Sequence, residues 1–385
     1  MTGKDLRTNR RTFLRSAGAF AAGVSLGPWT GGASSAALPT APVALGRCRR
    51  YDVPEIMAEL ERLFHLIGDF SNEIRGKTVT IKLNLTGFGS GPTHTVPNYL
   101  SYYTHPMVTM AACKVLNKMG ARRHVICEGV YTRLPIGPAF ADAGYDVSLF
   151  ESELGNVAFE NTRNLGTGSK YARMKVPSGY IYYEFGLNYR YEETDFVISL
   201  AKMKNHDIAG ITLGMKNMFG IAPCSFYGND AGTEDAISYR GAIFHEGASP
   251  PTEGEIAPGS SHDPGFRIPR IVVDLTAARP VDLTIIDGIV SMQGGEGSWN
   301  GNQLSIVSPN LLAVGRNVVC TDSVVAAVMG CDPTATRGHS HFPNGDNTLQ
   351  LAADKGLGTN KLEDIEVLGM SIREANYSYL PGARK

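Results

Sequence analysis

Lys202, Lys204 and His206 follow one another at every second position, directly after the apolar run 196–201. In an extended chain, side chains two residues apart share a side, so the three basic groups would project together. A β-branched, apolar run of this kind reads as a strand buried in a parallel sheet. Just past the carboxyl end of such a strand is where open α/β sheets bind their ligands. Downstream, Gly210, Gly214 and Gly220 punctuate a segment that carries Lys216 and Asn217, and glycines let backbone approach a ligand closely. Ammonium groups gathered there would hold an anion, and the imidazole would move a proton. The plainer alternative is a strand with a solvated basic end, because lysines are mostly exposed.

Polar residues also close other expected strands. Lys82 and Asn84 end TVTIKLNL, and Glu128 ends HVICE. Asp287 ends an apolar run and precedes a loop with five glycines, 288–301, which contains Glu296. A carboxylate there can bind a metal, act as a base or close a turn, and the loop amides can cradle an anion. Asp322 falls in the first turns of an expected helix, a placement that the helix dipole by itself favours. Strand ends on separate elements carrying Asn84, Glu128, Lys204, His206 and Asp287 point to one shared cleft. Lys82, Asn84, Lys202, Lys204, Lys216 and Asn217 are the candidate substrate or cofactor binders. His206, Asp287 and Glu296 are the candidate catalytic groups. Glu128, Asp287 and Asp322 are the candidates for a metal. His339 and His341, two apart in HSHFPNGD, read as a solvated loop, with no further ligand at a known spacing.

The elements that must position these residues alternate. Helical spacing runs from Val53 to Phe70, and strand TVTIKLNL covers Thr78 to Leu85. A helix capped by Thr104, with Pro106 in its first turn, runs to about Met119. A strand from His124 to Glu128, a short helix over 138–143 and a strand from Asp146 to Phe150 complete a β-α-β-α-β order. That order predicts a parallel, Rossmann-like sheet, without a G-x-G-x-x-G nucleotide fingerprint. Residues 151–190 read as an irregular or antiparallel excursion. A strand follows from Asp195, then a long loop over 224–265 of the sort that is functional or mobile. In the second half, helices are expected from Ile268, Val318 and Asn347, and strands over 281–286, 304–307, 311–315 and 365–369.

Composition sets outer limits. The chain has 385 residues, 43% of them hydrophobic, which suits a globular protein with a sizeable core. No run of 18 apolar residues occurs, so no transmembrane helix is expected. Arg10-Arg11-Thr12-Phe13-Leu14, the Ala/Gly-rich stretch to Leu26 and the small residues up to Ala36 read as a twin-arginine signal peptide, residues 1–36. That implies the translocase of this route as a transient partner and an extracytoplasmic, periplasmic location. Export by this route follows folding and often accompanies a cofactor loaded in the cytoplasm. Removing Lys4, Arg7, Arg10, Arg11, Arg15 and Asp5 with the signal takes the net charge from −1 to −5, so no basic field for nucleic acid is expected. The six cysteines form no Cys-x-x-Cys, so no iron–sulfur cluster is expected. A disulfide is possible in an oxidising compartment, but spacing does not give its pairing.

Three ordered segments carry a family resemblance: DFVISLAKMKNHDIAGITLGMKNMFGIAP from Asp195, LTIIDGIVSMQGGEGSWNG from Leu283 and LLAVGRNVVCTDSVVAAVMGCDP from Leu311. Together they resemble the domain of unknown function 362 family, over about residues 77–369. The resemblance implies an activity that is mostly unassigned, and this chain lacks the ferredoxin module that some members carry. At the level of fold, the family is similar to a distant relative of the nickel-pincer lactate racemase, in which a lysine tethers a cofactor and histidines do proton or hydride work. That enzyme's motifs have no residue-by-residue match here.

The sequence therefore predicts an exported α/β protein with two Rossmann-like halves, mainly parallel sheets and an interdomain cleft. Its parts are a signal over 1–36, a linker over 37–50, a family domain over 51–369 in halves of about 51–200 and 201–369, and a tail over 370–385. The function expected is an enzyme of redox or isomerase type on a small anionic substrate, with a metal or organic cofactor left open. The alternative is a periplasmic binding protein for an anionic ligand or cofactor, without turnover. A weaker possibility is a scaffold whose cleft residues only pair with each other.

Overall fold

The computed structural model describes residues 38–380, apart from 88, 169 and 250; the signal segment expected over 1–36 lies outside the described residues. The apolar, β-branched runs become eight strands of one sheet, numbered here along the chain: β1 Val43–Arg47, β2 Thr78–Lys82, β3 Arg123–Glu128, β4 Val157–Asn161, β5 Phe196–Lys202, β6 Leu283–Gly288, β7 Leu311–Gly315 and β8 Val367–Gly369. Their order across the sheet is β8-β1-β7-β6-β5-β2-β3-β4. Strand β7 runs antiparallel to both neighbours, and the other pairings are parallel. The mainly parallel α/β sheet is thus as expected. The strands of the two expected halves join directly in this sheet, where β5 pairs with β6, Asp287 opposite Lys202.

Both faces of the sheet are covered, which is why its strands read as continuous apolar runs. Phe196, Ile198, Leu200, Ile285 and Val314 face a core shared with the helices Val53–Leu66 and Pro106–Lys118. Val197, Ala201, Ile286 and Ala313 face the opposite core, shared with the helices Pro264–Ala278 and Val318–Val328. Among the described residues no helix is long and apolar enough to cross a membrane. All six cysteines are free and buried.

Four local expectations are corrected. Residues 43–47, expected within a linker, form β1, which is buried between β7 and β8; five residues, four of them apolar or glycine, are too short to show a period. Residues 146–150, expected as a strand, open the helix Val147–Leu154. Asp146 caps it by accepting from the Leu149 amide, and Phe150 and Leu154, four apart, are its buried pair. The His105 ring, not Thr104, caps the helix from Pro106, taking the Met107 amide on Nδ1. Thr104 is used elsewhere: its hydroxyl accepts from the Asn84 amide and donates to the Leu200 carbonyl. Finally, the tail beyond 370 is docked: Ser371 and Glu374 form a capping box, and the buried Tyr379 hydroxyl donates to the Met203 carbonyl.

Candidate functional site

The carboxyl ends of β2, β3, β5 and β6 lie side by side, because these strands are parallel neighbours. Each ends in a charged side chain or one residue short of its end: Lys82, Glu128, Lys202 and Asp287. Alternation then divides them. Val79 and Ile81 face one core, so Lys82 faces the other, beside its register neighbour Ser199. Lys202 follows the parity of Ile198 and Leu200 and faces the first core, beside Asp287. The sequence candidates therefore form two separate groups.

On the Lys82 side is a small cavity of about 50 Å³. A water needs roughly 10–15 Å³ of such space, so the cavity admits a few waters or one small acid group. Lys82 Nζ lies 2.5 Å from Glu128 Oε1 and donates to the Leu83 carbonyl and to Asn217 Oδ1. Glu128 also accepts from the Leu85 and Gly129 amides, so its oxygens are occupied and its charge is matched. Asn217 in turn donates to the Lys82 carbonyl and to Ser199, and is framework as much as lining. Gly220 seals the pair: a Cβ there would stand 2.7 Å from Lys82 Nζ and 2.8 Å from Glu128 Oε1, so any other residue would force them apart.

Two further cations line this cavity without a carboxylate of their own among the described residues. Lys216 Nζ sits 4.3 Å from the centre of the Phe219 ring and has no hydrogen-bond or ion-pair partner there. Burial, with Arg240 and Lys82 nearby, holds its pKa down at about 8, against the opposite pull of Glu296. Arg240 is buried, donates to the Ala222 carbonyl and holds the Tyr131 hydroxyl at 2.5 Å. Asn84 is buried here too, and its Oδ1 has no hydrogen-bond partner. Burying such a group unpaired is costly unless something fills the space.

His206 and Glu296 complete the lining. The His206 ring accepts the Ile208 and Ala209 amides on Nδ1, both at 3.1 Å. Those donors keep Nδ1 unprotonated and place the neutral ring's proton on Nε2. Glu296 Oε2 lies 3.2 Å from the same Nδ1 and accepts from the Asp207 amide. Burial, then the neighbouring Asp207, push the Glu296 carboxyl upward. Lys204 supports Glu296 from behind: its buried ammonium donates to the Glu296 and Tyr102 carbonyls, each at 2.9 Å, and burial lowers its pKa well below the ordinary value. It does not line the cavity.

Lys202 and Asp287 stand apart from this cavity, fully buried. Lys202 Nζ lies 3.0 Å from Asp287 Oδ2 and 2.9 Å from the Tyr51 hydroxyl. Asp287 also accepts from Tyr51 and from the His105 and Ile289 amides. Tyr51 stacks flat on His105 at 3.5 Å, whose pKa burial lowers to about 3. Asp322 is elsewhere again, accepting from the Gly214 and Met215 amides, with burial raising its pKa to about 7. It is an anchor for the Lys216 segment. Glu128, Asp287 and Asp322, the candidates for a metal, thus do not meet, and among the described residues no three His, Cys, Asp or Glu side chains are placed to hold one. The donor set among the described residues does not fit a metal.

Of the residues singled out in the sequence, Lys82, Asn84, Glu128, His206, Lys216, Asn217 and Glu296 line this one cavity. Sequence reasoning missed Arg240, Tyr131 and Phe219. Arg240 comes from the long 224–265 segment, which folds here into short helical turns; a length unusual for a structureless loop was its one signal.

A mixed α/β sheet with a basic, acid-lined cavity at the carboxyl ends of its parallel strands is the class this architecture defines. The family model described as Domain of unknown function (DUF362) matches residues 79–327, and the chain belongs to that family. It is 23% identical over 300 residues to a thylakoid-associated protein of Synechocystis sp., covering 76% of this chain and 75% of that protein. Among solved structures it is similar to the lactate racemase apoprotein of Thermoanaerobacterium thermosaccharolyticum, at 17% identity and a TM-score of 0.35, over 65% of this chain and 50% of that one. It is also similar to a crystal structure of a Thermotoga maritima protein, at 14% identity and a TM-score of 0.33, over 63% and 51%. The chain spans about half the length of both.

Proposed function

We propose that the protein is an enzyme acting on a small anionic substrate, with proton transfer as its central chemistry, as redox or isomerase reactions on such compounds require. One observation carries the reading: Lys216 and Arg240, neither matched by a carboxylate of its own, face the same small cavity as the His206–Glu296 pair. The acid group of the substrate is held by Lys216 and Arg240. His206 and Glu296 give and take the proton. Lys82 and Glu128 cancel one another and shape the wall.

The test begins with binding. Calorimetry with inorganic phosphate and with acetate is expected to show salt-sensitive association. Lys216→Met is expected to weaken it about 10- to 100-fold, the worth of a charged hydrogen bond of about 1.5–3 kcal/mol. The pH dependence follows from the depressed lysine. Below about pH 8 the ammonium is charged and affinity is full; above it the free protein loses that proton, so affinity falls as pH rises. No binding by either anion, or unchanged affinity in Lys216→Met, overturns the proposal. Binding without turnover of any substrate recovered with the protein favours an anion-binding protein instead.

The same proposal places the protein outside the cytoplasm, on the strength of the Arg10-Arg11 signature and the Ala/Gly-rich stretch behind it. Replacing both arginines by lysine is expected to leave the chain in the cytoplasm on fractionation. Undiminished export of that variant would sink this placement.

A further inference from the structure

We infer that the substrate is not a bare anion but an acid with a planar, aromatic body, seated on Trp299; this rests on the anion-binding reading above. The inner cavity, about 50 Å³, has room for an acid group and no more. Its His206–Glu296 wall is shared with a second space. That outer groove, about 330 Å³, is lined by His206 and Glu296 together with Ile208, His245, Trp299 and Asn300 among others. A molecule whose acid group sits at Lys216 has the proton-transfer pair beside its middle and the groove beside its far end.

The groove's chemistry selects that far end. Trp299 is 46% exposed, one of the few large hydrophobic side chains left open to solvent among the described residues. It is nevertheless held in place. The Tyr102 ring meets it edge-on at 5.8 Å, and it lies so close over Gly297 that a Cβ there would come within 2.1 Å of the indole. Gly87 crowds the same benzene end of the indole, so that end is pinned while about half of the side chain stays open to a flat ring, and aromatic rings attract one another beyond the area they bury. Two of the polar neighbours, Asn300 and Gln303, are already committed, and Asp207 adds a carboxylate to the wall beside Glu296. Asn300 donates to Asp207 and accepts from the Glu296 and Gly297 amides, and Gln303 donates to the Gly294 carbonyl. The groove therefore favours a flat apolar surface over a second anionic group.

The experiment compares matched pairs of acids on the full protein by calorimetry: methyl phosphate with phenyl phosphate, and acetate with phenylacetate. In at least one pair the aromatic acid is expected to bind about tenfold more tightly or better. Trp299→Ala, at an exposed position, is expected to erase that advantage while leaving the affinity of the methyl member of that pair within twofold. Aromatic acids that bind no better than their small counterparts, or an advantage that survives Trp299→Ala, overturn the inference and leave the anion site standing. Failure of all four acids to bind overturns the anion site and this inference together.

Discussion

Replacing Asp287 by alanine is expected to destabilise the protein by about 3–5 kcal/mol, because it strands the Lys202 ammonium in the sheet's interior. Lys202 and Asp287 are both fully buried and 3.0 Å apart, and burial already pulls the lysine pKa down against the carboxylate's support. Tyr51 and the His105 amide would lose their acceptor in the same stroke. A fall in melting temperature on the order of 10 °C is the expected reading. The control is Lys202→Met combined with Asp287→Leu. Removing both charges leaves no stranded ion, so the double variant is expected to recover most of the loss. A single variant within about 1 kcal/mol of the parent would show that the pair is not holding β5 to β6 and the Tyr51 segment. This assigns Asp287 to the framework, although its position at a strand end before a glycine loop reads equally well as catalytic.

His206→Ala is expected to lower kcat by about 10²- to 10⁴-fold, the usual contribution of a positioned proton-transfer group. The affinity for the anion should stay within a few-fold, since Lys216 and Arg240 are untouched. Glu296→Gln should give a loss of the same order and, combined with His206→Ala, little more, because the two act on one proton at 3.2 Å. The measurement is kcat and KM on the substrate that the binding experiments identify. Full activity in either variant would remove that residue from the reaction. A rise in KM with kcat unchanged would instead make His206 part of the anion cradle.

Those two variants also mark the boundary of what the sequence makes legible. Polar residues at the ends of apolar runs were visible, and parallel topology does gather them at one edge of the sheet. Which face each would take was not. Lys82 and Lys202 both look like strand-end cations, yet they point to opposite cores because Lys202 lies three residues, an odd step, beyond Ser199, the register partner of Lys82. The pairing of Lys202 with Asp287, 85 residues on, and of Lys82 with Glu128 is a matter of register, which no local spacing encodes. Tyr51 sits before the first helix and is linked to Asp287 across 236 residues. Arg240 leaves irregular chain and has no periodicity to betray it. Asp146 shows the opposite failure: a short apolar run behind an acid fits a strand and a capped helix equally well, and the Phe150–Leu154 pair decides it through tertiary burial.

Strand β1 imposes a timetable on biosynthesis. It is the first described strand along the chain, yet its partners are β7 and β8, whose residues are the last of the sheet to emerge. Closing so long a chain segment is entropically slow, and contacts of this separation form late. Residues 43–47 must therefore wait as an unpaired, apolar segment until residue 369 has left the ribosome. Only then do β1, β7 and β8 zip together and the Tyr379 tail fasten behind Met203. Completion of this seam is therefore the closing step of folding: a product truncated before β7 keeps β1 but lacks both strands that bury it.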